Sequence, residues 1–575
     1  MFKLPSIRNL LLTCSLIPCI LSCSSKLDGK QSKGPEKKDK SVAYFDSFNY
    51  KGNDNFYNEN PLPGKDYFYN PILPGWYSDP SICANGKDYF LVTSSFSYFP
   101  GVPIFHSQDL VNWKQIGHVL NRPSQLPLEG QHTSEGIFAP AISYNPHNQT
   151  YYMITTNIRK GNFFVKTKDP FGEWSEPVWL PEVKGIDPSF FFDDDGKAYI
   201  VNNDEPEEGS TYSGHRAIRV QQFDVETEKT FGSRKVLING GVDISEKPVW
   251  IEGPHIYKIK GQYFLMCAEG GTSVNHREVI FKGDSPMGSF KPWDKNPILT
   301  QKHLNPSRKK PITCAGHADL VQKPNGEWWS VFLGCRPINN EFENLGRETF
   351  LMPVKWSEDG YPYLTHDNEE VPRVVQMNGL QRSEQPTFGN FNKLESFESP
   401  ELNQEWFTMR GKALQYYSLT KTPGYLALQC APVASTEKKE LAFIARRIQH
   451  HQFEINSTVY FKPATEKDAA GLLLYKDERH QYFLAIQQEN NQRKVALKKI
   501  SDKGIEEISS KMITPTNDQV DLKITSNGTH FNFYCTTDGE KWENIAENIS
   551  AQYLSTANSF GFTGTTVGMY ATNSM

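Results

Sequence analysis

Along most of the chain, short runs of alternating apolar and polar residues come in pairs separated by tight-turn residues. This is the pattern of antiparallel hairpins with one or both faces buried. One unit recurs: a short head, an apolar strand, a Gly/Asn/Asp turn and a second strand rich in aromatics. It reads "SDPSICANGKDYFLVTS", "FAPAISYNPHNQTYYMITT", "IDPSFFFDDDGKAYIVNN", "IEGPHIYKIKGQYFLMCAE" and "GHADLVQKPNGEWWSVFLG". The pairs Asn85-Gly86, Asp195-Gly196 and Asn325-Gly326 are hairpin turns, because glycine takes the left-handed backbone such turns need. The heads fall at Asp79, Ala139, Asp187, Glu252 and His317, so successive heads are 60, 48, 65 and 65 residues apart. That leaves room for four strands per unit, and further strands are visible in "LVNWKQIG", "FGEWSEPVWL" and "GSFKPWDKNPIL". Five four-stranded sheets with matching heads predict a five-bladed β-propeller over residues 67–380. A sandwich of sequential hairpins would not repeat its heads.

After "VPRVVQMNGLQRSEQPTF" the repeat stops. Segments such as "ELAFIARRIQHHQFEINSTVYF" and "AGLLLYKDERHQYFLAIQ" predict a β-sandwich over 390–575. The fold class expected is therefore all-β, a propeller followed by a concanavalin-like (jelly-roll) sandwich. Ahead of both, "MFKLPSIRNLLLTCSLIPCILSC" joins a basic start to a short apolar run ending in Ser22-Cys23. It reads as a secretory signal over 1–22, with Cys23 as a lipidated new N-terminus. The lysine-rich stretch that follows predicts a flexible tether over 23–66. An exported lipoprotein of the bacterial cell envelope is the expectation, carried by the outer membrane through its lipid.

Composition narrows the partners. The chain has 575 residues, a net charge of −5 and no basic block, which argues against nucleic acid. Aromatics make up 13%, a surplus that suits strands and also the flat apolar faces of sugars. Beyond the signal, cysteines stand at 23, 83, 267, 314, 335, 430 and 535 with no CxxC pair, so neither a zinc site nor a disulfide framework is expected.

The heads carry the chemistry. The first strand of each blade lines the central channel, so Asp79, Asp187 and Glu252 should converge from distant parts of the chain. A lone acid at a strand head is usually a turn or cap residue; three among five heads is a different matter. Two carboxyls across a glycosidic bond suffice for hydrolysis, and a third beside them raises the acid's pKa. Glu252 follows Val-Trp-Ile and should be the desolvated acid. Asp79, in "YSDPS", should stay ionised as base, leaving Asp187 to tune and orient. The "DDDG" run at 193–196 looks like a calcium loop but fits a hairpin turn better.

The segments "NPILPGWYSDPSI", "GIDPSFFFDDDGKAYIVN", "EGPHIYKIKGQYFLMCAEGGT", "GHADLVQKPNGEWW" and "NLGRETFLMPVKW", in this order, resemble glycoside hydrolase family 43. Its members are inverting β-xylosidases and α-L-arabinofuranosidases. The resemblance implies Asp79 as general base, Asp187 as pKa modulator and Glu252 as general acid. It implies Arg347 and His317 as sugar-site residues and Phe96 as a subsite aromatic. Phe138 stands where many relatives carry tryptophan. No cofactor is required, though the resemblance allows a calcium ion near His317. The C-terminal segment resembles the sandwich of family 43 β-xylosidases, where a phenylalanine can close the pocket; the matching place in "FTGTTVGMYA" is read as Thr566, which leaves closure by this domain open. The function expected is exo-hydrolysis of terminal β-xylosyl or α-L-arabinofuranosyl residues from plant-type oligo- or polysaccharides. Two readings compete with it: a lipid-anchored glycan-binding protein without chemistry, and a retaining family 32 fructosidase. The latter's "WMNDPNG"-like motif is replaced here by "GWYSDPS".

Overall fold

The computed structural model describes residues 34–35, 39–515 and 518–575. The signal segment and Cys23 lie outside the described residues. Five antiparallel sheets follow one another along the chain. The first runs Ser81–Asn85, Asp88–Val92, Gly101–Ser107, Lys114–Leu120, and the second begins at Ile137–Asn145. The third, fourth and fifth begin at Ile186–Phe192, Glu252–Ile259 and Thr313–Gln322. Each opening strand touches the next around the ring, and the last touches the first. The ring is fastened by residues ahead of the first blade: Leu73 bridges Thr349 on the edge of the fifth sheet.

Packing explains why the sheets stack in a ring. Both faces of a blade are apolar, and five separate clusters fill the five wedges between neighbours. Phe90 and Ile104 of the first sheet meet Met153 and Phe163 of the second. Val331 and Leu351 of the fifth meet Ile82 and Leu91 of the first, which completes the circle. The opening strands are also tied by polar side chains, Ser81 Oγ donating to Asp319 Oδ2 at 2.7 Å and Ser189 Oγ to the Pro254 carbonyl at 2.6 Å. Gly86, Gly196 and Gly326 take φ of 63°, 84° and 87° at the hairpin turns the sequence marks. Asp193 of "DDDG" sits in such a turn, gripped by Lys258 and Tyr263 of the next blade.

The C-terminal domain is a sandwich of a six-stranded and an eight-stranded sheet. Here the tether expectation is wrong over part of its length. Residues Val42–Gly52 form a strand inside the eight-stranded sheet, between Leu426–Gln429 and Gln452–Tyr460. Its alternation, "VAYFDSFNY", buries Ala43, Phe45, Phe48 and Tyr50 completely. Apolar burial on this scale holds a strand in place whatever the composition of the residues before it. The sandwich core continues without a break into the propeller through Trp76, Phe96, Tyr98 and Leu345. Thr408–Met409 of the sandwich pairs with Tyr98–Phe99 of the propeller, and Arg447 Nε donates to the Trp76 carbonyl at 2.9 Å. The six described cysteines are buried free thiols.

Candidate active site

The five opening strands share a backbone device. Asp79, Ala139, Asp187, Gly253 and His317 have φ of 54°, 33°, 51°, 56° and 50°, all left-handed. In four blades a ladder irregularity spans this residue, between Phe138 and Ala141, Ile186 and Ser189, Glu252 and His255, and Gly316 and Asp319. Non-glycine residues pay of order 1–3 kcal/mol for such backbone, which persists only where packing imposes it. The kink turns each head side chain toward the hub, where all five residues line one small cavity of about 10 Å³.

This register corrects one expectation. The structural equivalent of Asp79 and Asp187 in the fourth blade is Gly253, and Glu252 stands one position earlier, in the column of Phe138, Ile186 and Gly316. Two of five equivalent heads are therefore carboxylates, not three. Glycine is required at 253 because a Cβ there would lie 2.6 Å from His317 Nε2. The three acids still meet: Asp79, Asp187 and Glu252 line a single cavity of about 460 Å³ at the end of the channel, together with Arg347, His317 and Phe96.

The acids differ in electrostatic state. Burial alone would raise the Asp79 carboxyl, but the Arg347 charge and the serine hydroxyls outweigh it and hold the group below the usual carboxylate range. Arg347 Nη1 donates to Asp79 Oδ1 at 2.9 Å and Ser94 Oγ donates to Oδ2 at 2.5 Å. Asp187 is pushed up to about 7 by burial and then by the Asp79 charge, against a 3.2 Å hydrogen bond from Gly253 N–H. Glu252 is driven well above the ordinary range by burial, then Asp187, then Asp79. Once Asp187 ionises, its charge holds the proton on Glu252. His317 is pulled down to about 3, chiefly by burial, so its ring is neutral beside Asp79 at 3.6 Å. His276 behind it is lowered to about 4 by burial, its Nδ1 2.9 Å from the Cys314 carbonyl.

Part of the cavity wall is aromatic. Phe96 and Phe138 meet edge to face at 5.7 Å, and both pack on Phe562 of the sandwich, at 6.2 Å and 5.5 Å. The Arg347 guanidinium lies 5.3 Å from the Phe562 ring. This corrects the reading of Thr566 at the closing position: the sandwich reaches the pocket through Phe562. Thr566, four residues on, is a fully buried strand residue paired with Arg447 and Tyr475. Sequence reasoning also missed Trp250, whose φ is 52°, and Arg216, stacked on its ring at 4.1 Å. Both line the outer part of the cavity. The tryptophan two residues ahead of Glu252 was the signal available for them.

Calcium asks for six to eight oxygen ligands. In the hub cavity beside His317 the rings of His255 and His317 offer nitrogen, Ser81 and Ser189 donate to Asp319 and to the Pro254 carbonyl, and Arg347, Ser94 and Gly253 engage the carboxylates of Asp79 and Asp187. That donor set does not fit a calcium cage.

Residues 68–362 match the model of glycosyl hydrolases family 43, and residues 395–575 match the β-xylosidase C-terminal concanavalin A-like domain. A xylosidase/arabinosidase of Butyrivibrio fibrisolvens is 37% identical over 88% of this chain and 95% of its own length. A non-reducing end α-L-arabinofuranosidase of Bacteroides ovatus is 38% identical over 88% of this chain and 91% of its own. A GH43_12 crystal structure retrieved from a capybara gut metagenome superposes with a TM-score of 0.86 at 42% identity, covering 92% of this chain and 99% of that one. The xylan β-1,4-xylosidase of Bacillus halodurans gives 0.79 at 30% identity, with 88% and 97% covered.

Proposed function

This chain belongs to glycosyl hydrolases family 43 and is an exo-acting, inverting glycoside hydrolase, in which we propose that Glu252 is the general acid, Asp79 the general base and Asp187 the residue that keeps Glu252 protonated. The observation that carries the assignment is the opposite state of two acids in one cavity. Asp79 is held ionised by Arg347 and its serine donors, while Glu252 is held protonated by burial and its acidic neighbours.

The steps follow from those states. A terminal sugar enters with its ring against Phe96, Phe138 and Phe562 and its hydroxyls toward Arg347. Glu252 gives its proton to the glycosidic oxygen as the bond to the anomeric carbon breaks. Asp79 takes a proton from a water that attacks that carbon from the opposite face, so the configuration inverts. Neutral His317 donates or accepts a hydrogen bond without adding charge beside the base. The hub beyond the acids narrows to about 10 Å³, too small for a second sugar, so only chain ends fit. Terminal β-xylosyl or α-L-arabinofuranosyl groups of oligo- or polysaccharides are the substrates that the names of the relatives support.

A glycan-binding protein without chemistry would gain nothing from carboxyls driven apart in this way. The basic start, the apolar run and Ser22-Cys23 support export and lipid anchoring at Cys23, with an outer-membrane location for the enzyme. A proton NMR time course on an aryl β-xyloside and an aryl α-L-arabinofuranoside tests the reading. The first-formed sugar should carry the inverted anomeric configuration, and a retained configuration would overturn it.

A further inference from the structure

The absence of a CxxC pair hides a thiol cluster that only the fold assembles. Cys314 lies near the start of Thr313–Gln322 and Cys335 ends the neighbouring strand Trp328–Cys335, where it faces Thr313 in the ladder. Glu343 comes from the connection leading to Arg347. One donor atom from each of the three lies within 4.8 Å of the other two. Cys314 Sγ stands 3.7 Å from Glu343 Oε1. In a tetrahedral zinc site, bonds of roughly 2.3 Å to sulfur and 2.0 Å to oxygen put neighbouring donors about 3.5–3.8 Å apart. The Cys314–Glu343 pair already stands at that separation.

Two further observations bear on the cluster. Cys314 is fixed in left-handed backbone at φ 58°, and its carbonyl is held by His276 Nδ1 at 2.9 Å, so its thiol is aimed by structure rather than by chance. Lys476 is 1% exposed and hydrogen-bonds only to Thr556 Oγ1 and the Thr563 carbonyl, with no carboxylate in ion-pair contact among the described residues. Burial pulls the Lys476 ammonium down to about 8, against the favourable influence of Asp477, Glu343 and Cys335 nearby. Two thiolates and a carboxylate around a divalent cation leave one excess negative charge, and this buried ammonium offsets it. Both thiols are buried, but Glu343 is partly exposed and offers the way in.

We propose that Cys314, Cys335 and Glu343 form a binding site for a thiophilic divalent cation of the zinc class, with the fourth position open to water. Each thiol releases its proton to solvent as the metal binds, so affinity rises with pH. None of the three is among the groups assigned to sugar hydrolysis, so the site stands or falls separately from that reading.

The test uses the full chain, reduced and stripped of metal, titrated with cobalt(II) alone. One ion per chain should bind, giving the visible bands of tetrahedral cobalt and a sulfur-to-metal charge-transfer band. Cys314→Ser and Cys335→Ser should each abolish the charge-transfer band and weaken binding by at least ~100-fold, with Cys335→Ala as the second variant at that position. Turnover of an aryl glycoside by these variants shows that they are folded, and Cys83→Ser should bind like the parent. Failure of the parent to give the bands overturns the proposal. So does their persistence in both cysteine variants, or an intact mass two hydrogens short with a Cys314–Cys335 cross-linked peptide.

Discussion

Arg347 and Asp79, separated by 268 positions in sequence, are joined by a 2.9 Å hydrogen bond from Nη1 to Oδ1, while buried Nε of the same guanidinium has no hydrogen-bond partner among the described residues. The second arm, Nη2, stands 3.4 Å from both Ser78 Oγ and Asp79 Oδ2, so the arginine is committed to the base and its support. Replacing it with methionine removes the charge that holds Asp79 down. The acidic limb of the kcat/KM profile should move to higher pH by about 1 unit, with kcat/KM falling by roughly 10–100-fold. An unmoved limb would separate Arg347 from the ionisation of the base.

Glu252 accepts no hydrogen bond from the described protein groups, and burial keeps it protonated. Its loss matters most where the leaving group needs a proton. Glu252→Ala should cost about 10²–10⁴-fold on oligosaccharides and on alkyl glycosides, and far less on nitrophenyl glycosides. Equal losses across a leaving-group series would remove the acid role.

Asp187 supplies the pH dependence. Its folded-state pKa of about 7 is above that of a carboxyl in the unfolded chain, so the folded form binds the extra proton. The stabilisation from this group is fully present below the unfolded pKa and is lost as pH rises through about 7. Asp187→Asn should therefore melt with a flatter dependence on pH between 5 and 8 than the parent. It should also shift the basic limb of kcat/KM to lower pH, because Glu252 loses the neighbour that raises it. Melting curves and rate profiles on the same samples check both; parallel melting slopes would contradict the assignment.

Phe562 is the sandwich's contribution to the pocket. Phe562→Ala should raise KM for aryl pentosides by about 10–100-fold, the value of an aromatic ring covering a sugar, while leaving the leaving-group dependence unchanged. A change in kcat alone, with KM intact, would place Phe562 in the support of Arg347 rather than against substrate.

The hairpins, their turns and the five heads are legible from alternation and from Asn-Gly and Asp-Gly pairs, because these are local properties. The same is true of the three acids as a set. The register at Glu252 is not legible by charge: the head is marked by the residue before proline, and that residue is Gly253, so matching acid with acid slips the column by one. Proline at 80, 140, 188 and 254 was the better guide. Phe562 and Thr566 were confused for a related reason, since the segment was matched by position rather than by which residue leaves the sheet. Strand Val42–Gly52 was unreadable because its partners lie more than 340 residues away and its neighbours in sequence are lysines. The thiol cluster is hidden for the same reason, as a product of ladder register alone.

That early strand also decides how the molecule can be made and taken apart. It leaves the ribosome early and must wait, unpaired, until the whole ring of blades and most of the sandwich have followed it. Its presence on the far side of the ring then acts as a second fastening. A protease nick anywhere between 381 and 391 would sever one connection and still leave both halves held together, since each fragment keeps part of the same sheet.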